Sequence, residues 1–258
     1  MVKLSDSIHL VGSGVAGISA PTDANVYLIA NGGQAVLVES GSGMNSELLV
    51  RNIRETGVNP DAISMIVHTH SHWDHARGAH EMTKLLGAPI AMQEAGRRVL
   101  RDERFAEHLV TKTGFEPPPP VEIDIALSDG ETFEIGSLRL GVLATPGHTA
   151  DSVSFVLDDG THRSLFTGDM VQGEGTLGAM WFDSDLVGYR DSLAKMVAAK
   201  PRALLPGHRM FTLANADAML DRAMRSMTGT IYEFVNTGPA FAPSWWLANY
   251  KTEVANRP

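Results

Sequence analysis

The chain has no cysteine in 258 residues, so disulfides, thiol nucleophiles, zinc fingers and cysteine-held clusters are excluded. Positive charge is scarce: 21 Lys and Arg stand against 30 Asp and Glu, a formal net charge of −9. A phosphate backbone or anionic membrane needs a basic footprint, so neither is an expected partner. No apolar run approaches the roughly 18 residues that span a bilayer. The first ten residues, MVKLSDSIHL, carry no apolar signal-peptide core, and the expected location is cytoplasmic. No internal repeat is visible. Hydrophobic residues at 43% and charged residues at 20% describe a globular composition with enough apolar side chains for a sizeable core.

The apolar runs punctuate the chain twice in the same way, strands first and then helix. Ile8–Val11, Asn25–Ala30 and Gln34–Glu39 read as strands, with Asn31-Gly32-Gly33 as a hairpin turn between the last two. A helix is expected over 45–57, with Asn45 as cap and Gly57 as stop. A buried strand over 62–67, a helix over 78–86 and a strand over 89–92 follow. Residues 94–113 have helical tendency and lead to four prolines, Pro117–Pro120, read as a stiff surface loop inside one domain. The second half has strands over 132–135, 138–143, 152–157, 164–166 and 202–205. Its helices are expected over 186–199, with Leu186, Leu193, Met196 and Val197 on one side, and over 213–227, with Leu213, Leu220, Met224 and Met227. Two such halves pack sheet on sheet with helices outside, a four-layer αββα sandwich, expected as a single domain over 1–258.

His70-Ser71-His72-Trp73-Asp74-His75 directly follows the strand ending at Val67. Three imidazoles and a carboxylate within six residues suit a borderline metal such as zinc. The two-residue step puts His70 and His72 on one side, while Asp74 and His75 diverge and can serve a second ion. Three further segments repeat one design, an apolar strand, a small or rigid turn, then a ligand side chain: Thr145-Pro146-Gly147-His148, Thr167-Gly168-Asp169 and Pro206-Gly207-His208. Short turns on rigid strands hold side chains with the accuracy that metal geometry demands.

This order of motifs resembles the metallo-β-lactamase-fold hydrolase superfamily, in its glyoxalase II-like and lactonase-like dinuclear branch. The resemblance implies the αββα sandwich with a dinuclear site at one edge. It places His70, His72 and His148 on a first metal, Asp74, His75 and His208 on a second, and Asp169 between them. Two zinc ions per chain are expected, with iron or manganese as alternatives. Two such ions bring a bridging water toward a pKa of about 7, giving a hydroxide that attacks a carbonyl. Asp74 is expected to pass a proton as well as to bind metal. The expected reaction is hydrolysis of a carbonyl ester, lactone or thioester of a small, partly apolar molecule. The alternatives are a mononuclear-iron persulfide dioxygenase and β-lactam hydrolysis.

Met170, Met180, Trp181 and Phe182 after Asp169, and Met210 and Phe211 after His208, are expected to line the substrate pocket. His68 is read as a packing or orienting residue. Glu39 has two open readings, orienting a ligand imidazole or standing exposed at a strand end. No tyrosine shortly follows Asp169, where lactonases of the superfamily carry one; the next is Tyr189. The chain is expected to be a monomer or homodimer.

Overall fold

The computed structural model describes residues 1–101, 122–180 and 184–237. The first sheet takes its seven strands in chain order. β1 (Val2–Lys3), β2 (Ile8–Gly12), β3 (Val26–Asn31) and β4 (Gln34–Val38) pair antiparallel. β5 (Ile63–Val67), β6 (Ile90–Gln93) and β7 (Ile125–Leu127) extend the sheet in parallel. Asn31 and Gln34 face each other across the β3–β4 turn, and Gly32 and Gly33 both have positive φ. That is the backbone a two-residue hairpin requires. The second sheet holds β8 (Thr132–Ile135), β9 (Leu138–Ala144), β10 (Val153–Asp158), β11 (Arg163–Gly168) and β12 (Ala203–Pro206). Its pairs are antiparallel except β11–β12, which is parallel.

α1 (Ser46–Glu55), the short α2 (Trp73–Ala76), α3 (Ala79–Leu86) and α4 (Glu94–Arg101) belong to the first half. α5 (Leu186–Ala198) and α6 (Ala216–Thr237) belong to the second. Asn45 caps α1, its side chain accepting from the Leu48 N–H at 3.1 Å.

Alternation along the strands sorts side chains into three cores between four layers. Tyr27, Val36 and Val38 meet Leu140, Phe155 and Phe166 between the sheets. The Tyr27 and Phe166 rings pack edge-on at 5.3 Å, worth about 0.5–1.5 kcal/mol beyond their buried area. On the outer face of the first sheet, Leu28, Leu37 and Ile66 cluster with Leu49 and Ile53 of α1 and Met82 of α3. On the other outer face, Leu165 and Leu204 cluster with Tyr189, Leu193 and Met196 of α5 and Leu220 of α6.

The second-half helices sit in a different phase from the one their apolar residues suggest. α5 buries Tyr189, Leu193 and Met196, and Val197 is exposed. Tyr189 belongs to the buried i, i+4, i+7 row because its hydroxyl has polar partners inside. α6 starts at Ala216 and buries Ala216, Leu220, Ala223 and Met227, leaving Leu213 exposed before it. β1 and β7 are absent from the sequence reading. They are two and three residues long, too short for a periodic signal. The proline run, and the part of 94–113 beyond residue 101, lie outside the described residues.

Candidate metal centre

All seven expected metal-ligand residues lie beyond strand ends of the two sheets. β5 leads to His70, His72, Asp74 and His75, the last two on α2. β9 leads to His148, β11 to Asp169 and β12 to His208. Backbone bonds lock these ends together: Val153 N–H donates to the Thr69 carbonyl at 2.8 Å, and Gly207 N–H donates to the Gly168 carbonyl at 2.8 Å.

Among the described residues, three groups of donor atoms each lie within 4.8 Å of one another: His70, His72 and His148; Asp74, His75 and His208; and, behind the rings, Glu39 with His70 and His75. His148 Nε2 lies 2.9 Å from His72 Nδ1. Asp74 Oδ2 lies 2.9 Å from His208 Nε2 and 3.9 Å from His75 Nε2. Asp169 stands between the first two groups. Its Oδ2 is 3.6 Å from His148 Nε2 and 3.4 Å from His208 Nε2, and its Oδ1 is 3.4 Å from His75 Nε2.

Hydrogen bonds behind the rings decide which nitrogens face the centre. Thr69 Oγ1 donates its one proton to Glu39 Oε1 at 2.5 Å. It therefore accepts from His70 Nδ1, 2.9 Å away. That leaves His70 Nε2 a bare lone pair, buried and without a hydrogen-bond partner. His148 Nδ1 lies 2.7 Å from the Ala179 carbonyl, which only accepts, so His148 Nε2 is also unprotonated and faces the centre. Unprotonated Nε2 atoms of His70 and His148 turned toward the centre are lone pairs that a divalent cation satisfies. The residues fit such an ion.

Glu39 is not an exposed strand-end acid. It is buried at φ +70°, with Oε1 3.2 Å from His75 Nδ1, and it backs both His70 (through Thr69) and His75. A left-handed non-glycine residue is strained backbone, and such strain gathers at functional sites. His68 also has an orienting place. Ser40 Oγ donates to the His75 carbonyl at 3.0 Å, so it accepts from His68 Nε2 at 2.9 Å. Burial and the neighbouring His75 push the His68 pKa down to about 4, against the pull of Glu39.

Burial opposes charge throughout the centre, and the close partners then decide each group. His70 is held well below the ordinary histidine range by burial and by His75, His72 and His148. For His75 the carboxylates of Asp169, Asp74 and Glu39 overcome burial and hold it well above that range. Burial would raise Asp169, but His75, His208 and His148 hold it well below the carboxylate range. Asp74 is lowered in the same way, its burial outweighed by His75 and His208. Surroundings that favour a proton on His75 and negative charge on both aspartates favour a bound cation as well.

The expected pocket residues fare unequally. Met170 is fully buried under α5, with Sδ 3.2 Å from the His148 N–H, and supports the His148 turn from behind. Met180 is half-buried against the same cluster, Phe211 packs on the inter-sheet core, and Met210 is 62% exposed beside His208. Trp181 and Phe182 lie outside the described residues. The glycines of the loop serve close packing. A Cβ on Gly173 would collide with the Met210 carbonyl oxygen, and one on Gly178 with that of Asp169. Tyr189 is buried too: its hydroxyl donates to the Met170 carbonyl and accepts from the Gly178 N–H at 3.2 Å, stapling the loop after Asp169.

A sandwich of this order with this centre defines a class, and the comparisons name it. The family profile of the metallo-beta-lactamase superfamily matches residues 20–208, and the chain belongs to that superfamily. A Beta-lactamase-like protein 2 homolog of Drosophila melanogaster is 30% identical over 185 residues, covering 71% of this chain and 58% of that protein. An Atrochrysone carboxyl ACP thioesterase of Aspergillus fumigatus is 28% identical over 206 residues, covering 80% of this chain and 56% of that one. The chain thus spans under two-thirds of the length of these two relatives. An uncharacterized protein of Mycobacterium leprae is 32% identical over 208 residues, covering 75% of this chain and 89% of that protein.

Among solved structures, a B3 metallo-beta-lactamase with an active-site glutamic acid superposes with a TM-score of 0.71 at 22% identity, covering 90% of each chain. A metallo-beta-lactamase family protein of Thermus thermophilus gives 0.70 at 24%, covering 88% of this chain and 81% of that one. These likenesses show the fold. Membership of the superfamily implies divalent metal ions. Among the described residues no helix is long and apolar enough to cross a membrane.

Proposed function

We propose that this protein is a hydrolase that holds two divalent ions, zinc by preference, and cleaves a thioester, carbonyl ester or lactone of a small, partly apolar molecule. The carrying observation is the Asp169 carboxylate, within 3.6 Å of histidines from the first two donor groups. His70, His72 and His148 would hold the first ion, Asp74, His75 and His208 the second, with Asp169 shared. Bound ions of this kind supply hydroxide at neutral pH and an electrophile for the substrate carbonyl.

The chain's own residues do the rest. Thr69 and Ala179 keep His70 and His148 in the tautomers that turn a bare nitrogen inward. Asp74, partly exposed, accepts the proton released on attack and returns it to the leaving group. Met180 and Met210 offer apolar surface beside the ligand-bearing turns. The thioester reading draws support from two relatives named as thioesterases, in Aspergillus fumigatus and Emericella nidulans.

The test is a hydrolysis screen of the zinc-replete protein on thioesters, esters and lactones of graded chain length, with a β-lactam and a phosphodiester beside them. Thioester or ester turnover that rises with chain length is expected. A phosphodiester or β-lactam with the highest kcat/KM, or zinc binding at no more than one ion per chain, overturns the reading.

A further inference from the structure

His208 is a part-exposed donor whose ring faces Asp74 and Asp169, whereas the rings of His70 and His148 are each braced from behind by Thr69 and Ala179. The His208 turn is gripped at the backbone, from the other sheet. Asn25 N–H donates to the Gly207 carbonyl at 2.6 Å. The Asn25 side-chain amide lies 3.0 Å from the Pro206 carbonyl and 3.2 Å from that of Arg209. Tyr27 Oη donates to the Pro206 carbonyl at 2.7 Å, and the Asn25 amide lies 3.3 Å from Tyr27 Oη. Three carbonyls around His208 are therefore held by two residues at the start of one strand. Arg209 takes a positive φ of 60°, a conformation a non-glycine residue keeps only when its surroundings impose it.

The grip is selective. The Asn25 and Tyr27 side chains bond to the turn of residues 206–209, and the bracing of His70 and His148 comes from other residues. Both side chains are buried and fixed, Tyr27 by its edge-on contact with Phe166. We infer that Asn25 and Tyr27 are positioning residues for His208, setting the affinity of the second ion while leaving the first alone. This rests on the two-ion reading. Groups that orient a ligand typically change metal affinity about 10–100-fold when removed, and a turn freed of its side-chain donors loses the same kind of control.

The test uses Tyr27→Phe, which keeps the ring on Phe166 and removes only the hydroxyl, alongside Asn25→Leu. Zinc is titrated into the metal-free full chain against a chromophoric chelator to resolve the two affinities. Hydrogen–deuterium exchange of the amides of 207–211 is followed in the same metal-free proteins. The expected result is a second zinc weakened about 10–100-fold, a first zinc unchanged within about threefold, and exchange at 207–211 at least about tenfold faster, with β10 unaffected. Equal weakening of both ions, an unchanged second ion, or unchanged exchange in Tyr27→Phe overturns the inference. If the wild type itself takes one zinc, the two-ion reading fails. The exchange data then judge the grip alone: faster exchange at 207–211 supports it and unchanged exchange refutes it.

Discussion

Gly207→Ala adds one methyl group against two side chains of the centre. A Cβ there would lie 2.5 Å from His75 Cε1 and closer still to Asp169 Oδ1, where ordinary contact begins near 3.4 Å. Neither neighbour is the free end of a flexible chain. His75 is fully buried against Glu39, and Asp169 lies among three histidines. Both must retreat by about 1 Å, or the turn must swing and carry His208 with it. Metal–ligand distances hold within about 0.2 Å, so on the two-ion reading a retreat of about 1 Å would break coordination at Asp169. A misplacement of that size costs about 100-fold in rate, or roughly 2.7 kcal/mol of transition-state stabilisation. Overpacking costs about 1–3 kcal/mol of stability, which a domain stable by about 5–15 kcal/mol survives. The assay pairs zinc affinity and turnover with thermal unfolding of the metal-free protein. A folded variant with zinc affinity and kcat/KM reduced about 100-fold or more is expected. Wild-type affinity and turnover would show that the strand-end turns do not set the geometry of the centre.

Asp169→Ala should lose zinc and activity more severely than Glu39→Ala or His68→Ala, whose losses should fall near 10–100-fold; near-normal turnover in Asp169→Ala defeats the shared-ligand assignment. His68 is buried neutral with a pKa of about 4, against about 6.5 unfolded, so its stabilising contribution is present above pH 6.5 and is lost as pH falls toward 4. That is about 3 kcal/mol over the window, and urea unfolding of metal-free His68→Gln should show a correspondingly shallower acid slope; matching slopes refute it. Tyr189→Phe removes two hydrogen bonds, although the Gly178 N–H still reaches the Met170 carbonyl at 3.2 Å, and should cost about 0.5–1.5 kcal/mol, read as a lower urea midpoint; an unchanged midpoint counts against the staple.

The residues that gather at the centre were legible in the sequence because each follows an apolar strand through a short turn. Local pattern suffices for that: strand alternation, Asn31-Gly32-Gly33, the Asn45 cap and the His70 to His75 cluster all lie within a few residues of the structure they specify. The phase of α5 was not legible, because Tyr189 is buried only where Met170 and Gly178 receive its hydroxyl. Glu39 read equally as an exposed acid or an orienting one until the β4–β5 pairing set it beside Thr69 and His75. Met170 resembled a pocket residue by its position and is core by its packing. The tertiary structure alone decided which nitrogens face the centre. Their tautomers depend on Thr69, Ala179 and Glu39, brought together by folding. The hold on His208 comes from Asn25 and Tyr27, about 180 residues earlier in the chain. Contacts of that range leave no spacing in a sequence, because the sheet pairing that creates them is a property of the whole fold.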